Sequence, residues 1–158
     1  IKAGGKELLL KTADGTSCLH IACERGDLEV AKALIKEGGE EVLLKKEKDG
    51  TSCLHTACSN GHLEIAKVLI EAGRESLILA SNKDGASCLF VACRNGHLEV
   101  VKALIPAGGD ALLHKTRRDG CSCLYIACMQ GHLAIVNALL AAGGDALLRK
   151  TQREGGSC

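Results

Sequence analysis

Aromatic side chains are nearly missing from this chain, which has no Trp, one Tyr and one Phe among 158 residues. That leaves no platform on which nucleic-acid bases could stack. Net charge is missing as well: Lys plus Arg number 20 against 19 Asp plus Glu, so the overall balance points to no polyanionic partner. No apolar run reaches the roughly 18 residues of a membrane span, and no charged-then-apolar leader opens the chain. Neither a membrane nor a secretory route is expected. Proline occurs once, at Pro106. Small and branched apolar residues are abundant, 46% with cysteine included, enough to pack a helical core.

The sequence repeats itself. Ser-Cys-Leu-His at Ser17–His20 returns at Ser52–His55, and with an aromatic last residue at Ser87–Phe90 and Ser122–Tyr125. Each copy follows an Asp-Gly pair, at Asp14, Asp49, Asp84 and Asp119, a constant step of 35 residues. A period of that size marks one supersecondary unit stacked on itself. The chain reads as a single array over residues 1–158. A partial unit occupies 1–13, full units occupy 14–48, 49–83, 84–118 and 119–153, and a further unit starts at 154–158.

Within Asp14–Lys48, Asp14-Gly15 is a turn pair and Ser17 a natural N-cap. Leu19, Ala22 and Cys23 supply the buried side of a short helix that Gly26 ends in the left-handed conformation. Leu28, Ala31, Leu34 and Ile35 then form one apolar face at helical period, in a second helix that Gly38-Gly39 is expected to close. Glu29/Lys32, Glu64/Lys67 and Glu99/Lys102 sit three apart on its other face and can pair weakly. Pro106 lies in the third such helix, where a lost backbone donor is expected to end it early.

Two short antiparallel helices with a projecting turn, and the run Asp49-Gly50-Thr51-Ser52-Cys53-Leu54-His55-Thr56-Ala57-Cys58 followed by Asn60-Gly61-His62-Leu63-Glu64-Ile65, resemble the ankyrin repeat. The matching motifs are D-G-x-T-P-L-H-x-A-A and x-G-H-L-E-V, and they recur four times over Asp14–Arg153. The resemblance implies an all-α solenoid of stacked helix-turn-helix units joined by hairpin loops. Ser stands for the family's Thr, and Cys18, Cys53, Cys88 and Cys123 stand for its Pro. Phe90 and Tyr125 replace the His that ties repeats together in the family. Each unit is also two residues longer than the family norm. The Leu pairs Leu43-Leu44, Leu112-Leu113 and Leu147-Leu148 suggest a partly buried lead into the next turn.

Eight of the ten cysteines form two ladders, Cys18, Cys53, Cys88, Cys123 and Cys23, Cys58, Cys93, Cys128. Stacked helices about 8–10 Å apart cannot bridge equivalent rungs, since a disulfide needs Cα atoms within about 7 Å. Buried thiols in a reducing, cytoplasmic compartment are the simpler reading. The repeated Cys-x-His-x2-Cys spacing does not suit zinc, because residues five apart on a helix point about 140° apart. No metal or cofactor is expected. His62, His97 and His132 read as helix-start residues with a structural hydrogen bond. No nucleophile has a base and an orienting acid beside it, so an enzyme is not expected. Lysines and arginines along the turns, partly offset by Asp and Glu, read as a solvated edge.

Neither end carries a polar capping repeat, which suggests a piece of a longer array whose ends could associate head to tail. Comparing the four copies separates scaffold from surface. The residue before Asp varies (Ala13, Lys48, Lys83, Arg118), as does the one after Gly (Thr16, Thr51, Ala86, Cys121). So do the pairs ending the first helix: Glu24-Arg25, Ser59-Asn60, Arg94-Asn95 and Met129-Gln130. The resemblance implies that these positions line a concave face and loop tips that grip a protein partner, with Tyr125 and Met129 as apolar anchors. The alternative is a structural or engineered repeat scaffold with no evolved ligand.

Overall fold

The computed structural model describes residues 12–13 and 15–153. Strands β1 (Thr12–Ala13) and β2 (Thr16–Ser17) open the described chain as an antiparallel pair. Four helix pairs follow: α1 (Cys18–Arg25) with α2 (Leu28–Leu43), α3 (Cys53–Asn60) with α4 (Leu63–Ile78), α5 (Cys88–Asn95) with α6 (Leu98–Leu113), and α7 (Cys123–Met129) with α8 (Leu133–Arg153). Each short inner helix packs on its own outer helix. Inner helices also stack on inner helices and outer on outer. The result is an all-α solenoid, as the ankyrin resemblance implies.

Local chemistry sets the inner helices. Ser17, Ser52, Ser87 and Ser122 hold extended backbone, and each hydroxyl accepts from the backbone N–H three residues on. Such a cap contributes about 1 kcal/mol. Left-handed glycines at Gly26, Gly61 and Gly96 end the first three inner helices. The buried face is one continuous core. Leu19, Leu54 and Leu89 are fully enclosed, as are the small Ala57, Ala92 and Ala127 that let the helices approach. On the outer helices the three Glu–Lys pairs form at 2.8–3.0 Å on the exposed side.

Two of the outer helices leave helical geometry at the second glycine of the pair, as expected of Gly38-Gly39, and a further helical turn follows. α2 breaks at Gly39 (φ 59°, ψ −147°) and α6 at Gly109 (φ 52°, ψ −152°), but each winds on to Leu43 and Leu113. That final turn buries Val42 with Leu43, Leu77 with Ile78, and Leu112 with Leu113. The extra length of the unit therefore serves the core, one residue out of step with the expected Leu43-Leu44, since Leu44 is exposed. The side chains of Leu147-Leu148 lie outside the described residues. α6 also runs straight through Pro106. Pro106 is exposed, so the carbonyl it leaves unpaired can be solvated instead.

Cysteine burial follows position in the stack. Cys23, Cys53, Cys58, Cys88, Cys93 and Cys123 are buried, whereas Cys18 and Cys128 face the two ends of the described stack and are exposed. Val30 shows the same end effect: it is 45% exposed, while its equivalents Ile65, Val100 and Ile135 are at 1–2%.

Candidate functional site

Between successive helix pairs the chain projects a tight hairpin. Gly50 N–H donates to the Glu47 carbonyl and Glu47 N–H to that of Thr51, and the pattern recurs at Asn82–Ala86 and Arg117–Cys121. Asp49 Oδ1 accepts from Thr51 N–H at 2.8 Å and Oδ2 from the Thr51 hydroxyl. These bonds hold the Asp49 carboxyl below the usual carboxylate range. Neighbouring hairpins are tied tip to tip, Lys83 N–H to the Asp49 carbonyl at 2.8 Å and Arg118 N–H to that of Asp84 at 3.0 Å.

The fourth residue of each motif joins helix to hairpin. His55 Nε2 lies 3.0 Å from the Ala86 carbonyl, and Nδ1 lies 2.7 Å from Ser52 Oγ. A carbonyl only accepts, so Nε2 carries the proton and Nδ1 accepts from the serine hydroxyl. His20 makes the same two bonds, to Thr51 at 3.3 Å and Ser17 at 2.8 Å. Burial pulls the His55 pKa down to about 4 and lowers that of His20. Phe90 cannot make such bonds. There the Arg117 guanidinium lies 5.5 Å from the Phe90 ring centroid, while its other side reaches Asp119 at 3.1 Å.

A second set of histidines spans repeats. Nε2 of His62, His97 and His132 reaches back to the carbonyls of Glu24, Ser59 and Arg94 at 3.1, 2.9 and 3.2 Å. Each expected helix-start histidine thus bonds the inner helix of the unit before it.

The hairpins and inner helices line an open groove of about 400 Å³. Of the residues singled out from sequence, Glu24, Thr51, Ser59, Asn60, Ala86 and Arg94 line it. Ala86 is 4% exposed and offers little beyond its backbone. The groove does not include the others. Thr16 bonds Glu47 at 2.8 Å and Asn95 bonds the Ser59 carbonyl at 2.7 Å. Arg25, Lys48, Lys83 and Arg118 are exposed, and Ala13 sits in β1. At the far end Cys121 and Tyr125 are half-buried, while Met129 and Gln130 are exposed.

Sequence reading missed Glu47, Asn82 and Arg117, and also Thr56 and Val91, all of which line the groove. Both sets occupy positions that change chemistry from copy to copy, so the same comparison could have found them. Along the array the charged lining runs from Glu24, Glu47 and Asp49 through Asp84 to Arg94 and Arg117.

The family described as ankyrin repeats in three copies matches residues 2–78 and 75–150. The chain belongs to the ankyrin-repeat family. None of the curated proteins matches it. Ankyrin repeats are in general protein–protein interaction modules and typically non-catalytic. No helix among the described residues of this ankyrin array is long and apolar enough to cross a membrane.

Proposed function

We propose that this ankyrin array is a non-catalytic binding module that holds a protein segment along its concave face. One observation carries the reading: a groove of about 400 Å³ whose lining includes the positions that vary between copies while the capping and core residues repeat. Its walls are stiff. Capped helices, hairpins bonded tip to tip and buried histidines leave little to order on association, which lowers the entropic cost of binding. Glu24, Thr51, Ser59, Asn60, Ala86 and Arg94 would contact the partner together with Glu47, Asp49, Asn82, Asp84 and Arg117. Arg25, Lys48, Lys83, Asn95 and Arg118 would form the rim, with Ala13 and Thr16 at the acidic end. Cys121, Tyr125, Met129 and Gln130 would extend the contact beyond the basic end.

The order of charge along the lining sets orientation. A partner segment with basic residues toward Glu47 and acidic residues toward Arg94 meets opposite charge along its length. The test is paired affinity capture followed by titration of the captured protein against three variants. Glu47→Lys and Arg94→Glu should each weaken binding at least tenfold, and Lys67→Glu on the outer face should leave it unchanged. Equal binding by all three would overturn the reading, as would loss confined to Lys67→Glu or a self-associating chain that captures nothing else.

A further inference from the structure

The variable residues of the groove come in pairs. Each inner helix supplies one member near its end, and the next hairpin supplies the other: Glu24 with Glu47, Ser59 with Asn82, and Arg94 with Arg117. Both members change together, from two carboxylates through a hydroxyl and an amide to two guanidiniums. The basic pair is set where one acceptor can reach both. Arg94 lies four residues after Phe90 in α5, so the two share a helix face. The Arg117 guanidinium lies 5.5 Å from the Phe90 ring, about one helical turn from Arg94. Its Nη2 meets Asp119 at 3.1 Å, but its Nε is buried with no hydrogen-bond partner. Arg94 donates through Nε to Asn95 at 3.3 Å, and among the described residues no carboxylate pairs with it. A buried donor without an acceptor is costly, and a carboxylate brought in by a ligand supplies acceptors for both guanidiniums. At the other end Glu47 takes a hydrogen bond from the Thr16 hydroxyl at 2.8 Å, and Glu24 is exposed. Midway, Asn82 Oδ1 accepts from the Asp84 and Ala86 N–H groups at 3.1 and 2.9 Å, leaving its NH2 group as the donor on offer.

Taking the array as a module that holds a protein segment, we propose that the segment is extended and carries a lysine or arginine and an aspartate or glutamate about five or six positions apart. The base seats on Glu24 and Glu47, the acid between Arg94 and Arg117, and a main-chain carbonyl midway accepts from Asn82. The spacing follows from the stack. Two repeat steps of about 8–10 Å span about 16–20 Å, and an extended chain advances about 3.3 Å per residue. A singly charged carboxylate suits the basic pair better than a phosphate, because Asp84 in the lining and Asp119 against Arg117 already offset much of its charge.

The test is selection of displayed random peptides on the immobilised full chain, using peptides of about ten residues, long enough to span all three pairs. Recovered sequences should carry the base and the acid at the stated spacing. One such synthetic peptide, followed by fluorescence polarisation, should lose about tenfold or more in affinity for the Arg94→Glu chain. The same peptide with its acid changed to lysine should recover on that chain, and Lys67→Glu should bind like the parent. Binders that lack the base and acid, or carry them at another spacing, would overturn the proposal while leaving the binding module standing. An absence of binders would overturn it too, and capture of a protein by the same chain tells whether the module falls with it. Tighter binding with phosphoserine in place of the acid would overturn the choice of a carboxylate.

Discussion

Arg117 covers the Phe90 ring, 5.5 Å from guanidinium carbon to ring centroid, where the two preceding repeats use a buried histidine bonded to the next hairpin. The hairpin residue facing that site changes with it, from Glu47 and Asn82 to Arg117. A ring that cannot bond a carbonyl is thus tied by a cation on its face, worth about 0.5–2 kcal/mol. Arg117→Ala should destabilise the array by about 1 kcal/mol. Arg117→Ala combined with Phe90→Leu should show a coupling of at least about 0.5 kcal/mol in urea unfolding. Strict additivity would mean that the contact stabilises nothing.

Acid should loosen the first two of these ties and leave the third intact. His55 is neutral in the fold with a pKa near 4, against about 6.5 for a free histidine. Between those values the unfolded chain binds the extra proton and the folded chain does not. Stability is therefore full above pH 6.5 and falls as pH drops toward 4, by up to about 3 kcal/mol for this residue. His20 shifts in the same direction. His55→Phe, which copies the natural Phe90, should flatten that slope while keeping the array folded. Urea titrations at pH 7.5 and 4.5 on both proteins check it; parallel losses would clear His55 of the effect.

Much of this was legible because fourfold repetition multiplies weak local signals. Ser52 as a cap, Gly61 as a stop, Leu54 and Ala57 as core, and Glu64 beside Lys67 are each settled within a few residues of chain. What depends on how one helix pair sits on the next was not. The offset between stacked helices aims His97 at Ser59, 38 residues back. It also turns Glu47 into the groove while Lys48 beside it is exposed and not part of the lining. Pro106 misled for the opposite reason. The local breaker was overridden in a helix whose last turn buries Leu112 and Leu113.

The His97 tie gives a direct measure of the coupling between repeats. Gly61 has φ +74°, and a Cβ there would lie 2.5 Å from His97 Nδ1; Gly120 has φ +84°, with nothing within 4 Å. Both alanine variants take on left-handed backbone strain of about 1–2 kcal/mol. Only Gly61→Ala must also push the imidazole off the Ser59 carbonyl, at a further cost of about 1 kcal/mol. In a His97→Ala background that excess should vanish. If Gly61→Ala and Gly120→Ala cost the same with His97 present, the histidine does not couple the repeats.

The two serine caps should differ for a reason visible only in their neighbours. Ser87 Oγ accepts from the Phe90 N–H at 3.2 Å. Ser52 Oγ accepts from the His55 N–H and also donates to His55 Nδ1 at 2.7 Å. Removing Ser87 therefore costs one cap, about 1 kcal/mol. Removing Ser52 costs the cap and strands a buried ring nitrogen as well, about 2–3 kcal/mol in total. The excess should disappear when Ser52→Ala is made in the His55→Phe chain, because the ring then asks nothing of the hydroxyl. Denaturant unfolding of the four proteins at neutral pH decides it. An excess that persists beside Phe would place the energy of Ser52 somewhere other than the imidazole.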